Sequence, residues 1–162
     1  GFKGWANGGN KVATGENSIT PASFKTKLNK KYFASFSEVQ KAQKGKGQQC
    51  LIDARPAAFF TGDKKHAKAR IPGRLANARN LQEGNLIDDS FKMKPSSAIK
   101  SQFGDLDGVE QYKGYISYCN TGHWAATVWF GLSEIAQIPN VKMYDGGMTH
   151  WTSNPKRKVD LG

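Results

Sequence analysis

Three short apolar runs, each followed by a polar residue, constrain this chain most. They are Cys50-Leu51-Ile52 ending at Asp53, Tyr115-Ile116-Ser117-Tyr118 ending at Cys119, and Val141 to Tyr144 followed by Asp145. The first reads as a buried strand of a parallel sheet, the second as a strand from its aromatic and β-branched residues, and the third as a further strand. Helical signals lie between and around them. Ser35 with Glu38 three residues on forms a capping box, predicting a helix to about Gln43 that the Lys-Gly-Lys-Gly run at 44–47 ends. Pro56 opens a second helix through Ala57, Ala58, Phe59 and Phe60 to Gly62. Ser96 or Ser97 caps a third that stops at Gly104. A fourth runs from Trp124 to about Gln137, with Val128, Leu132 and Ile135 on its apolar face and Pro139 beyond its end. Leu75 to Asn80 and Ile19 to Leu28 each admit a further short strand. Ile71-Pro72-Gly73 reads as a turn and residues 82–95 as a long loop. Strands alternating with helices give an α/β domain with a mostly parallel sheet. In such sheets ligands bind beyond the carboxyl ends of the strands, where Asp53 and Cys119 both lie.

The length, 162 residues, suits one domain and a tail. Residues 1–18 are rich in Gly, Asn and charge and read as a tail entering a domain over 19–162. No apolar run approaches the roughly 18–20 residues of a membrane span. The chain opens on Gly1 with no basic-then-apolar leader, so a processed product is expected. Lys and Arg total 24 against 13 Asp and Glu, a formal charge of +11. Nucleic-acid binding, attraction of small anions and solubility all produce such a surplus. The dispersed lysines, with no nucleic-acid-binding motif among them, argue against the first. Cys50 and Cys119 could pair or stand as independent thiols, and no cysteine or histidine cluster has zinc spacing. Cys50, inside an apolar strand, reads as packing, and His66 and His150 as surface residues.

The chemistry concentrates in Cys119-Asn120-Thr121-Gly122-His123-Trp124, a cysteine, a tight turn and a helix start. Backbone N–H groups of such a turn, with the dipole of the helix behind them, are expected to favour a thiolate. They would equally hold an oxyanion or a terminal persulfide sulfur. The alternative reading is a buried structural cysteine in front of a helix.

Four blocks, in order and at familiar spacing over roughly residues 19–155, resemble the rhodanese family. They are Leu51-Ile52-Asp53-Ala54-Arg55-Pro56, Arg70-Ile71-Pro72-Gly73-Arg74-Leu75, the Cys119 loop after Tyr118, and Tyr144-Asp145-Gly146-Gly147 with Trp151. The resemblance implies a doubly wound α/β domain with a five-stranded parallel sheet and helices on both faces. It implies transfer of a sulfane sulfur from thiosulfate or a similar small anionic donor to cyanide or a thiol, through a persulfide on Cys119. No metal or organic cofactor is implied. Asn120, Thr121, Gly122, His123 and Trp124 would line the substrate site, with Asp53, Arg55 and Arg74 as further contacts. Asp53 could equally cap the Pro56 helix, Arg55 could be a structural ion pair, and Asp145-Gly146-Gly147 reads as a turn shaping the rim.

Cys119 to Trp124 makes a six-residue loop, the family length suited to sulfur. A related phosphatase would place an arginine at position 125, which is Ala125. Many thiosulfate-using relatives carry a cation in this loop, often where Trp124 stands, whereas here only His123 is ionisable after Cys119. Arg70 replaces a common histidine, and Met148 stands where tryptophan is frequent. That departure keeps two other functions in view: a persulfide carrier in a protein sulfur relay, and a non-catalytic binding module of the same fold. Gly1-Phe2-Lys3-Gly4-Trp5 resembles the end of such a domain, implying a preceding rhodanese repeat as a neighbour. With the missing leader, that points to a bacterial periplasm.

Overall fold

The computed structural model describes residues 1–162. Its centre is a parallel sheet of four strands: β1 (Gln49–Asp53), β2 (Ala78–Asn80), β3 (Gly114–Tyr118) and β4 (Val141–Tyr144), in the order β2-β1-β3-β4. The helices are α1 (Phe2–Asn7), α2 (Phe36–Gln43), α3 (Ala57–Thr61), α4 (Ser96–Gly104), α5 (His123–Phe130) and α6 (Gly147–Thr152).

Side chains on successive strand residues face opposite ways, and the sequence uses that period to build two cores. Cys50 and Ile52 of β1, Tyr115 of β3 and Val141 of β4 face one side, packed with Ile99 and Phe103 of α4 and Val128 of α5. Leu51, Ile116, Tyr118 and Tyr144 face the other, packed with Val39 and Ala42 of α2 and Met148 and Trp151 of α6. The alternation explains the apolar runs of β1 and β3, whose residues are buried on both faces apart from Gln49, while β4 leaves Lys142 and Met143 partly exposed.

The expected fifth strand is reduced to one residue. Phe33 bridges Met143 in parallel on the free edge of β4, and Ala34 N–H donates to the Met143 carbonyl at 2.8 Å. A 3-10 turn at Lys30–Tyr32 precedes Phe33, and Ser35 is already the cap of α2, so no more chain is free to pair. Residues 19–28 form no strand: Ile19, Phe24 and Leu28 are exposed and no sheet edge lies beside them. Residues 1–18 hold a short helix, α1. A Cβ on Gly4 would stand 3.4 Å from the Ser90 carbonyl, and Lys3 Nζ lies 4.8 Å from the Phe91 ring centroid. Segment 82–95 carries a 3-10 turn at Glu83–Leu86 and an Ile87–Met93 bridge. The helix expected over 124–137 begins one residue earlier and is α-helical to Phe130. It then widens into a π turn over Gly131–Ile135, where the missing Gly131 side chain admits Leu86 and Met93.

The capping box is present as both reciprocal bonds, Glu38 N–H to Ser35 Oγ at 3.2 Å and Ser35 N–H to Glu38 Oε2 at 2.8 Å. Lys142 Nζ donates to Glu38 Oε1 at 2.6 Å, pinning α2 to β4. Partial burial pushes the Glu38 carboxyl up, but the Lys142 and Ser35 hydrogen bonds outweigh it and bring it from 4.5 down to about 2. A carboxyl lowered on folding stabilises the native state above its unfolded value, and that stabilisation is lost as pH falls from about 4.5 through about 2. Urea denaturation across that window should show a steeper acid loss for the wild type than for Glu38→Gln. Parallel curves would mean that the pair adds nothing.

Candidate active site

The strand order sets the site's position. From β1 the chain moves outward to β2, then crosses back to β3 on the other side, so the carboxyl ends of β1 and β3 flank the switch point of the sheet. Asp53 ends β1 opposite Tyr118 of β3, and Cys119 follows directly.

From Cys119 the chain turns tightly and enters α5 at His123. Gly122 makes the reversal with φ +93°, a left-handed conformation that side chains resist. Its N–H donates to Cys119 Sγ at 3.1 Å. The Cys119 and Asn120 carbonyls accept from Met148 N–H at 2.9 Å and Thr149 N–H at 3.2 Å, and the Thr149 hydroxyl adds a bond of 3.0 Å to Asn120. Because a trans peptide sets N–H opposite C=O, the Asn120 and Thr121 N–H groups point away from α6. Neither has an acceptor in the protein, nor do those of His123, Trp124 and Ala125. The first α5 bond is Ala126 N–H to Gly122 O at 2.9 Å. Five unmatched amides of the loop and the first turn of α5 therefore follow a cysteine whose sulfur already accepts a sixth, a positive environment that favours sulfur anions and oxyanions.

Beneath the loop lies a buried ion pair. Arg55 Nε donates to both Asp53 oxygens at 2.9 and 3.1 Å, and Nη2 to Oδ2 at 2.6 Å. Nη2 also reaches the Gly73 carbonyl at 2.9 Å, and Nη1 reaches Asn120 Oδ1 at 3.4 Å. Burial alone would lower the Arg55 guanidinium, but the bonds and charge of Asp53 hold it above its ordinary value. The same burial, with Asp53 nearby, keeps the Tyr118 phenol far above 10, so it stays neutral and accepts from Leu75 N–H at 3.2 Å. Asp53 thus does not cap the following helix, where Pro56 has no side-chain cap; Arg55 bonds both it and Asn120 of the loop.

The predicted contacts therefore separate into layers. Cys119, Asn120 and Gly122 are buried, while Thr121, His123 and Trp124 reach solvent. His123 Nδ1 lies 3.3 Å from Thr121 Oγ1, and the Trp124 ring meets Phe59 edge-on at 6.0 Å. Arg74 is committed elsewhere: its guanidinium stacks 4.5 Å from the Phe60 centroid and its backbone pairs with Asp160. Cys50 and Cys119 are both free thiols. Burial, slightly offset by Arg79, pushes the Cys50 thiol up to about 11, leaving it unreactive near neutrality.

Sequence reasoning missed the α6 clamp. Gly147, at φ +53°, opens that helix, and a Cβ there would stand 2.5 Å from the Cys119 carbonyl and 2.6 Å from that of Asn120. The double glycine was the available signal, since a backbone that must approach another backbone this closely excludes side chains. Also missed was Asn120 Nδ2, a fully buried donor without a partner.

A family model described as "Rhodanese-like domain" matches residues 35–154. Over 114 residues the chain is 30% identical to "Putative thiosulfate sulfurtransferase" of Saccharopolyspora erythraea, covering 66% of this chain and 40% of that protein. It is 24% identical over 162 residues to "Probable 3-mercaptopyruvate sulfurtransferase" of Pseudomonas aeruginosa, covering 100% and 56%. The chain thus spans about half or less of the length of these relatives. The anaerobic ergothioneine biosynthesis enzyme from Chlorobium limicola, solved with its natural substrate trimethyl histidine, superposes with a TM-score of 0.80 at 16% identity, over 100% of this chain and 40% of that one. Tum1 protein from Saccharomyces cerevisiae superposes with 0.64 at 23%, over 80% and 47%. At these identities the structural likeness is one of fold.

Proposed function

Since the chain belongs to the rhodanese family, with the domain over residues 35–154, we propose that it transfers a sulfane sulfur through a persulfide on Cys119. The observation that carries this reading is the Sγ of Cys119 under the Gly122 N–H at 3.1 Å, with five further amides unmatched around it. As a thiolate, Cys119 attacks the outer sulfur of a donor such as thiosulfate. The new S–S bond forms with the thiolate's electron pair, and the donor's S–S bond breaks with its pair leaving on sulfite. The loop amides stabilise the departing oxyanion and then the terminal persulfide sulfur. Cyanide or a thiolate next attacks that sulfur and releases Cys119. Residues 1–18 are read as a link from a preceding rhodanese repeat, a reading supported by the partial coverage of the relatives.

One observation favours a second donor class. The loop from Cys119 to Trp124 holds no Lys or Arg, and Arg55 and Arg74 are committed to Asp53 and Phe60. A doubly charged thiosulfate would therefore meet backbone amides in the loop rather than a lysine or arginine side chain. A persulfidated protein thiol carries less charge and needs less compensation, which supports a relay.

Intact mass of the reduced protein, before and after thiosulfate, 3-mercaptopyruvate or a persulfidated thiol, tests both. The wild type should gain one sulfur atom and Cys119→Ser none, with turnover reduced at least about 10³-fold, because loss of the nucleophile removes the covalent route. Gain from the persulfide alone selects the relay. Gain by the Ser variant, or by neither protein from any donor, removes Cys119 from the chemistry.

A further inference from the structure

At the opposite end of the sheet, where the strands begin, a cleft of about 760 Å³ opens between α2, the strand starts and the turn that follows α5. Most of its lining residues are polar or charged. Five lysines line it: Lys31, Lys41, Lys46, Lys113 and Lys142. Only Glu38 and Glu134 oppose them, a surplus of three positive charges. Lys142 is neutralised by Glu38 at 2.6 Å, while Lys31, Lys41, Lys46 and Lys113 make no ion pair. Glu134 takes a hydrogen bond from Ser133 Oγ at 2.7 Å and meets no lysine within ion-pair distance.

These lysines come from five separate places in the chain and converge only through the fold. Charge dispersed for solubility lies apart on convex surface. Here like charges share a concave, partly enclosed space, where low-dielectric walls concentrate their field. The volume falls in the range of small-molecule sites, roughly 300–1,000 Å³.

We propose that this cleft is a second binding site, for a small molecule bearing several negative charges on phosphate or carboxylate groups. Lys46 and Lys113 shortly precede β1 and β3, Lys41 lies in α2, and Lys31 lies in the 3-10 turn at Lys30–Tyr32. The ligand's anionic groups would replace the missing counter-charges, with the Gln48 and Gln49 side chains as neutral donors. β3 separates this cleft from Cys119 by about 16 Å, at roughly 3.3 Å per residue. Binding here therefore does not require the thiol, and sulfur donors at the loop do not compete for it.

Calorimetric titration of the full chain with tripolyphosphate and with citrate, at about 0.15 M salt where surface charges are screened, tests the site. One saturable site is expected, unchanged in Cys119→Ser. Lys46→Gln/Lys113→Gln should weaken binding at least about tenfold, while Lys64→Gln/Lys68→Gln, an equal charge change outside the cleft, should weaken it less than about twofold. Glu38→Gln removes the counter-charge of Lys142 and should tighten binding, a gain that a merely damaged fold would not produce. Preference for tripolyphosphate identifies a phosphorylated ligand, and equal binding a carboxylate-bearing one. The proposal is overturned if neither anion saturates, if both double variants lose equally, if Glu38→Gln weakens binding, or if only a polyanion such as duplex DNA binds.

Discussion

Arg55→Met should lower the free energy of unfolding by about 3–5 kcal/mol, because it leaves the Asp53 carboxylate buried without its partner. Asp53 is fully buried and Arg55 is 2% exposed, so water cannot replace the lost donors. A domain of this size carries about 5–15 kcal/mol in all, so the variant approaches marginal stability. The isosteric double variant Asp53→Asn/Arg55→Met tests the cause. Asn keeps an oxygen for the Arg55 backbone N–H, a bond of 3.0 Å here, yet removes the stranded charge. It should therefore be more stable than Arg55→Met alone by about 1–3 kcal/mol, measured by urea denaturation with unchanged slope. A double variant no better than the single would show that packing, not charge, dominates. Arg55→Lys separates stability from function. Lysine keeps the charge but has no fork to bind Asp53, Gly73 and Asn120 together, so sulfur transfer should fall in protein that remains folded.

This ion pair also shows what could be read from the chain. Asp53 and Arg55 stood out because they follow an apolar strand, but whether Asp53 met the loop or a helix end, and Arg55 substrate or an ion-pair partner, was open, since nothing local chooses between them. β1 and β3 were legible because both their faces are buried, and β4 because its ends, Val141 and Tyr144, are apolar and buried. α2 was legible because its capping box is local. The fifth strand was not, since its existence depends on how much chain separates a 3-10 turn from the Ser35 cap. α6 was hidden by its own glycines: Gly146-Gly147 reads as a turn, and only contact with the Cys119 loop explains why a helix should begin there. Nothing in the sequence near Arg74 signalled its stacking on Phe60 or its backbone bridge to Asp160, since both depend on the fold. The lysine cleft had no local signature, because no two of its five lysines lie within four residues of each other.

Gly147→Ala should disturb the reaction centre strongly. Its Cβ would stand 2.5 and 2.6 Å from two backbone carbonyls that have no flexible end to move aside. The left-handed φ of +53° adds about 1–2 kcal/mol of intrinsic strain. Relief requires α6 and the loop to part, which lengthens the Met148 and Thr149 bonds to Cys119 and Asn120, each worth about 1 kcal/mol. A total loss of about 2–4 kcal/mol is expected. The larger effect falls on chemistry. Those two bonds orient the 119–120 and 120–121 peptides, and with them the Asn120 and Thr121 N–H groups. If these amides hold the leaving oxyanion, their rotation should lower kcat/KM about 10²-fold or more, as loss of an oxyanion donor does, in protein still fully folded. Gly104→Ala is the control: nothing lies within 4 Å of its Cβ, and alanine at the end of α4 should stabilise slightly. A Gly147→Ala variant with normal stability and normal turnover would mean that the loop holds its amides in place without α6, and the double glycine would lose its role in catalysis.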